Sequence, residues 1–191
     1  MKNLKSYILH LNNWIPTDIL NKTLKELTTI GDWKRHEWSY SKKFNRKSKN
    51  KGKELDVCYG DNLTYVKKLH DLTWKALEKY ILIDKIGGEI FKGWNGFSKL
   101  RFNRYTKNKI MSKHCDHIHS LFTGDIRGIP ILSIIGVLND DYKGGDFIMF
   151  DNYKIKLKAG DLILFPSNFM YPHLVKEIKE GTRYSFVSWC Y

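Results

Sequence analysis

The sequence has few cysteines and no long apolar run. Its three cysteines, Cys58, Cys115 and Cys190, contain no C-x-x-C pair, which argues against a disulfide scaffold or a structural zinc site. The longest nearly uninterrupted apolar run, from Ile129 to Leu138, is about half the ~20 residues that a membrane-spanning helix needs. The first residues carry no secretion signal with a small-residue cleavage site. We therefore expect a cytoplasmic protein with no transmembrane segment.

Acidic residues are scarce relative to basic ones. The chain has 33 Lys and Arg against 20 Asp and Glu, a formal net charge of +13. A positive charge of this size attracts acidic partners, including nucleic acid, an acidic protein or an anionic small molecule. The charge alone does not distinguish among these partners. The 191 residues are 42% hydrophobic and 14% aromatic, which predicts one folded domain over residues 1–191.

The first half of the chain, residues 1–99, alternates strand and helix patterns. A short strand is predicted over Ser6 to Leu11. Pro16 and Thr17 open a helix with an apolar face, and a second amphipathic helix runs from Leu63 to Ile81 and ends before Gly87 and Gly88. The stretch Lys42 to Lys53 is strongly basic and shows neither the helical nor the strand period of apolar residues. This predicts a loop that is either solvated or a lid over the substrate.

From residue 100 onward the pattern changes to short apolar segments separated by turn residues. Eight candidate strands without an intervening helix favour a β-sandwich or jelly roll over a parallel sheet. They are Leu100–Tyr105, Lys113–Ile118, Ile129–Leu138, Asp146–Phe150, Lys154–Leu157, Asp161–Phe165, Tyr171–Val175 and Thr182–Trp189. The expected fold class is α+β, mainly β, with the N-terminal helices packed on the outside of one sheet.

A histidine and an aspartate two residues apart form the most informative pattern. On a strand, His114 and Asp116 project from the same face. They supply two members of a 2-His-1-carboxylate triad, the arrangement that holds non-haem Fe(II), and His173 at the start of a later strand is the candidate third member. An isolated H-x-D is more often a pair of surface polar residues. His117 and His119 lie off the metal face by the same alternation, and Cys115 has no base partner that would make it a catalytic thiol.

An arginine follows the third candidate ligand at a short interval. Arg183 stands ten residues after His173, and Ser185 lies on the same strand face. A buried guanidinium with a neighbouring hydroxyl suits bidentate binding of a carboxylate. The aromatic residues Phe186, Trp189 and Tyr191 are more often core residues than a binding platform.

Five motifs, in order, resemble the catalytic domain of the Fe(II)/2-oxoglutarate-dependent oxygenases, in the prolyl 4-hydroxylase-like branch that includes small bacterial and phage members. Residues 100–191 carry all five. They are Arg104-Tyr105 followed by His114-Cys115-Asp116, LNDDYKGGD from Leu138 to Asp146, AGDLILFPS from Ala159 to Ser167, His173 with Val175 and Ile178, and GTRYS from Gly181 to Ser185.

The resemblance implies a double-stranded β-helix in residues 100–191, supported by residues 1–99. It further implies that His114, Asp116 and His173 bind Fe(II), and that Arg183 pairs with the distal carboxylate of 2-oxoglutarate. Ser185 and Tyr105 would assist in binding this cosubstrate. Fe(II), 2-oxoglutarate and O2 are the implied cofactor and cosubstrates, and ascorbate is left open as a further one.

The implied reaction is hydroxylation of a substrate C–H bond, with 2-oxoglutarate converted to succinate and CO2. A peptidyl proline is the first expected substrate, so the partner is a protein or peptide. Asp116 favours hydroxylation, because halogenating relatives carry a small residue there. The chain departs from its relatives at Asn108-Lys109 and Met111, and a cosubstrate-binding tyrosine of the family would fall near Gly136.

Three alternatives remain. The same chemistry could act on another protein residue or a small molecule. It could act on nucleic acid, although the R-x-N-x-T-x-R pattern of the dealkylase branch is missing, since Arg183 is followed by Tyr184, Ser185 and Phe186. Finally, the chain could be an inactive, basic nucleic-acid-binding module, which the intact candidate triad and Arg183 oppose.

Overall fold

Helices and short strands make up the N-terminal half. The computed structural model describes residues 3–37, 52–84, 94–116 and 128–191. The elements up to residue 84 are a 3-10 helix Leu4–Tyr7, β1 (Leu9–Leu11), α1 (Thr17–Thr29), β2 (Lys34–Arg35), β3 (Asp56–Tyr59) and α2 (Val66–Glu78), which continues as a π-helix Lys79–Asp84. Both predicted helices are confirmed. The strand predicted over Ser6 to Leu11 is wrong in its first half, because the Asn3 side chain accepts from the Lys5 N–H and starts a helical turn.

The C-terminal half contains all eight predicted strands, with ends shifted by up to four residues. They are β4 (Arg101–Tyr105), β5 (Met111–His114), β6 (Leu132–Val137), β8 (Phe147–Met149), β9 (Tyr153–Ile155), β10 (Leu162–Pro166), β11 (His173–Val175) and β13 (Arg183–Cys190). Two further short strands, β7 (Lys143–Gly144) and β12 (Ile178–Glu180), pair with each other.

Apart from the β7–β12 pair, the strands form two sheets that face each other across a pocket. The larger sheet has the order β1-β10-β6-β13-β4-β3-β2, and the smaller has the order β5-β11-β8-β9. Side chains from both sheets line the pocket between them. This arrangement of antiparallel strands, with two helices beside it, is the mainly β jelly roll that the sequence predicted.

The larger sheet separates two apolar clusters. One cluster joins the sheet to α1 and α2, and its buried members include Leu27, Leu69 and Leu77 on the helices and Phe102 and Phe186 on the sheet. The helices therefore cover the outer face of this sheet, as predicted. The second cluster lies on the inner face, between the two sheets.

Several predictions concern parts of the chain outside the described residues. They are the loop Lys42 to Lys53, apart from its last two residues, the end of the second helix at Gly87 and Gly88, and the orientation of His117 and His119. Within the described part of the chain, no helix combines the length and apolarity required to cross a membrane.

Candidate metal and cosubstrate site

Three side chains converge on one point at the inner face of the smaller sheet. The ligand atoms of His114, Asp116 and His173 all lie within 4.8 Å of one another. The Nε2 atom of His114 is 3.1 Å from Oδ1 of Asp116, and that of His173 is 3.7 Å from the same oxygen. The sequence analysis named these three residues as candidate ligands of one metal, and the structure brings them together.

Strand pairing explains how the two histidines meet. His114 on β5 and His173 on β11 are register partners, as are Met111 and Val175. Two steps along β11 thus match three along β5, which is a β-bulge. The bulge turns both Met111 and His114 toward the pocket. The alternation argument for His114 and Asp116 was only partly correct, because β5 ends at His114 and Asp116 follows it outside the strand.

Backbone contacts orient both imidazole rings. The Nδ1–H of His114 can donate to the Ser112 carbonyl at 2.7 Å, and that of His173 to the Tyr171 carbonyl at 3.1 Å. With the proton on Nδ1, each ring offers the Nε2 lone pair to the point where Asp116 lies. This is the arrangement found around histidines that bind metals, where the second nitrogen donates to a carbonyl or carboxylate.

Burial and mutual contact set the ionisation of these groups. Burial lowers the pKa of His173 to about 4, although Asp116 opposes the shift, so this imidazole is neutral at pH 7. Burial alone would raise the pKa of Asp116, but His173 and His114 outweigh it and hold that pKa well below its usual range. One carboxylate and two imidazoles form a suitable ligand set for Fe(II). The second Asp116 oxygen, Oδ2, is buried and has no hydrogen-bond partner among the described residues, so it can serve as a metal ligand.

Arg183 is a buried cation on the opposite wall. It is 2% exposed, its guanidinium donates to the Ser185 hydroxyl at 2.9 Å, and it lies 4.9 Å from the centre of the Tyr105 ring. None of the described residues forms an ion pair with it. A buried guanidinium without a counter-ion is a binding site for an anion. Arg183, Ser185 and Tyr105 all line the same pocket as the three candidate ligands.

The departures from the family pattern have structural explanations. A side chain at Gly136 would overlap the Phe186 ring on the outer face of the sheet, so a tyrosine at this position would not reach the pocket. Met111 forms part of the pocket wall. Asn108 adopts a left-handed conformation with φ 67° and donates its N–H to the Ile178 carbonyl at 2.8 Å, so it makes the turn before β5.

Sequence reasoning missed two polar residues of the pocket and underrated one aromatic residue. Arg101 and Asn103 on β4 line it together with Tyr105. Their alternate spacing could have indicated that they share the face of Tyr105. Trp189 was expected in the core; it is 5% exposed, and it also lines the pocket.

Comparisons with known proteins agree with this geometry. Residues 100–191 match the family model of the 2OG-Fe(II) oxygenase superfamily. A PKHD-type hydroxylase from Acinetobacter baumannii is 36% identical over 94 residues, which are 46% of this chain and 40% of the relative. A PKHD-type hydroxylase from Stenotrophomonas maltophilia is 33% identical over 94 residues, covering 47% and 41% of the two chains. The chain thus spans about 40% of the length of these curated relatives.

Solved structures share the fold over almost the whole chain. A prolyl hydroxylase from Trichoplax adhaerens, in complex with a peptide fragment of the hypoxia-inducible factor oxygen degradation domain, has a TM-score of 0.74 at 17% identity, covering 97% of this chain and 84% of that one. A prolyl-4-hydroxylase from Pseudomonas putida has a TM-score of 0.69 at 17% identity, covering 97% and 92%.

Proposed function

We propose that residues 100–191 form a prolyl 4-hydroxylase-like domain of the 2OG-Fe(II) oxygenase superfamily, whose members use Fe(II), 2-oxoglutarate and O2. From this we infer that the protein is a dioxygenase that hydroxylates a C–H bond of a protein or peptide, a peptidyl proline first of all. One observation carries the proposal. Two histidines and a carboxylate meet within 4.8 Å in a pocket that also holds a buried, uncompensated arginine.

The roles of the residues follow from their positions. His114, Asp116 and His173 hold the metal through Nε2, a carboxylate oxygen and Nε2. When bound, Fe(II) supplies the redox chemistry that couples conversion of 2-oxoglutarate to succinate and CO2 with oxidation of the substrate by O2. The chain contributes geometry and an enclosure, in which Ile135, Phe147 and other apolar residues line the pocket beside its polar groups.

Arg183 binds the distal carboxylate of 2-oxoglutarate. Its fork can form two parallel hydrogen bonds to a carboxylate. Ser185 accepts from one guanidinium nitrogen and thereby holds the plane of the fork, while the Tyr105 ring covers its face. The Tyr105 hydroxyl completes the binding of this cosubstrate. Burial raises the pKa of Tyr105, so the phenol keeps its proton and is a hydrogen-bond donor at neutral pH.

The substrate class rests on the relatives. The Trichoplax prolyl hydroxylase is seen with a peptide, and the Pseudomonas neighbour is a prolyl-4-hydroxylase. These neighbours support a peptide partner with proline as the first residue to test. We further infer that residues 1–99 act as the support of a single domain over residues 1–191, since α1, α2 and the larger sheet share one apolar cluster.

The test needs no knowledge of the substrate. Metal-free protein is titrated anaerobically with Fe(II) and then 2-oxoglutarate, and the visible metal-to-ligand charge-transfer band is recorded. A saturable band is expected in the wild type and no band in Asp116→Ala. A folded wild-type protein without a band would refute the proposal. Peptide substrates are then screened by succinate release, with ascorbate included as a reductant and proline-containing peptides first.

A further inference from the structure

A second arginine lies in the same pocket, at the other end of the β4–β13 pair. Arg183 is the register partner of Tyr105, and Arg101 is the partner of Val187. Arg101 and Tyr105 are four residues apart on one strand, which corresponds to about 13 Å. Both arginines line the pocket. If Arg183 binds the cosubstrate, Arg101 lies at the other end of the β4–β13 pair, away from Arg183 along the strand.

The guanidinium of Arg101 lacks a polar partner. Its Nε is buried without a hydrogen bond, and no described residue forms a hydrogen bond or ion pair with this side chain. It rests on the ring of Trp189 at 5.0 Å from the ring centre. Stacking fixes the plane of the guanidinium but leaves its N–H groups unused.

Two neighbours of Arg101 in the pocket wall are also unpartnered. The Nε1–H of Trp189 and the Oδ1 of Asn103 have no hydrogen bond to any described residue, and each of these residues is only 5% exposed. Buried polar atoms are nearly always hydrogen-bonded in native proteins. Three unpartnered polar groups on one stretch of wall therefore indicate a ligand that supplies the missing bonds, with acceptors for Arg101 and Trp189 and a donor for Asn103.

Arg104 on the same strand is a structural arginine, and it differs from Arg101 in its ion pair, since the Nε of Arg104 is likewise buried with no hydrogen bond among the described residues. Its guanidinium lies over the Trp33 ring at 4.6 Å and donates to Asp56 at 3.2 Å, on the outer face of the sheet. Arg101 has the aromatic support, and Asp116 acts on it electrostatically, but no carboxylate among the described residues is hydrogen-bonded to it. A carboxylate in hydrogen-bond contact is the feature that a ligand would provide.

We propose that Arg101, with the Trp189 N–H, binds a carboxylate of the primary substrate and so determines substrate specificity. The proposal rests on the function proposed above and narrows its substrate class to compounds with an acidic group near the carbon that is hydroxylated. The carboxylate comes either from a free amino acid or from an acidic side chain beside the target residue of a peptide. Asn103 then accepts from a substrate N–H.

The experiment compares acids with their amides as binding partners. Full-length protein is loaded anaerobically with Fe(II) and 2-oxoglutarate, and binding is measured by isothermal titration calorimetry. One arm uses L-proline and L-prolinamide. The other uses blocked peptides that differ only in Glu or Gln next to proline. The acid of at least one arm is expected to bind about 10- to 100-fold more tightly than its amide, the range of charge-assisted hydrogen bonds. The arm that discriminates identifies the source of the carboxylate.

Variants assign the preference to Arg101. Arg101→Gln should abolish it, and Arg101→Lys should restore part of it, because an ammonium keeps the charge without the fork. Arg104→Gln is the matched control on the outer face and should keep the full preference. The charge-transfer band is still expected in Arg101→Gln, since Arg101 is neither a candidate metal ligand nor the arginine proposed to bind the cosubstrate.

Three results would overturn the inference. They are equal binding of acid and amide by the wild type in both arms, a preference that persists in Arg101→Gln, and an acid that binds only in competition with 2-oxoglutarate, which would place it at Arg183. Each of these can occur with a normal charge-transfer band, and then the proposed oxygenase function stands. A wild type without the band would refute that function instead.

Discussion

At the scale of single residues, Arg183 is the sharpest test of the cosubstrate assignment. Arg183→Ala removes the buried cation from its wall while leaving the three candidate ligands untouched. We expect Fe(II) binding to be retained and the dissociation constant for 2-oxoglutarate to rise about 100-fold, as for the loss of a charged, bidentate pair. The charge-transfer titration measures it, with bound iron determined separately. Arg183→Lys should fall between the two proteins, and unchanged 2-oxoglutarate affinity in Arg183→Ala would remove the assignment.

Gly136 permits a close approach of two strands rather than a special backbone angle. A Cβ here would overlap the Phe186 ring. Gly136→Ala should therefore lower the free energy of unfolding by about 1–3 kcal/mol, the usual range for overpacking a core. Gly31→Ala is the matched control, because a Cβ at Gly31 would meet no atom within 4 Å. Chemical denaturation of both variants measures this difference. Equal denaturation midpoints for the two variants would contradict the expected overlap.

The sequence predicted the candidate metal and cosubstrate residues more completely than it predicted the other residues of the pocket wall. His114, Asp116, His173, Arg183 and Ser185 could be named because their residue types and spacing carry a motif. Met111 could not be placed in the pocket, since only the β5 bulge turns it to the same side as His114. A bulge depends on the register between two distant strands, and a single sequence does not encode it locally.

At the scale of elements, the period of apolar residues predicted both long helices and all eight C-terminal strands. The four strands that were missed, β2, β3, β7 and β12, have two to four residues each. Such segments have too few residues to show a period, and their pairing with longer strands defines them. β3 matters most among these four, because it pairs with β4, which carries three residues of the pocket wall.

Helix α1 is expected to stabilise the domain without taking part in the chemistry. Leu27 is fully buried between the helices and the outer face of the larger sheet. Leu27→Ala should lower the free energy of unfolding by about 2–5 kcal/mol through lost burial and a cavity. Lys25→Ala, at an exposed position of the same helix, should change it by less than about 0.5 kcal/mol. Denaturation measures both effects, and the folded fraction of Leu27→Ala should keep the wild-type affinity for 2-oxoglutarate; loss of that affinity would place α1 in the site.

At the scale of the whole molecule, the two faces of the larger sheet have different roles. Its outer face packs against α1 and α2 through apolar residues, and its inner face presents Arg101, Asn103, Tyr105, Arg183 and Ser185 to the pocket. The inner face can carry these polar groups because the apolar cluster on the outer face stabilises the fold. The net charge of +13 fits a pocket with two buried cations, since both proposed ligands are acids.

The three thiols should report how this fold opens. Burial raises the pKa of Cys58 to about 11 and that of Cys190 to about 12; burial and Asp116 raise the pKa of Cys115 as well, but this thiol is partly exposed. Because the reagent needs an accessible thiolate, iodoacetamide at pH 8 should modify Cys115 first, on the order of 100-fold faster than the other two. Cys58 on the short strand β3 near the sheet edge should follow before Cys190, which needs opening of the central strand β13. Mass spectrometry of timed samples gives the order, with urea-unfolded protein as the control in which all three react alike. Modification of Cys190 before Cys58 would show that the sheet opens from its centre instead of its edge.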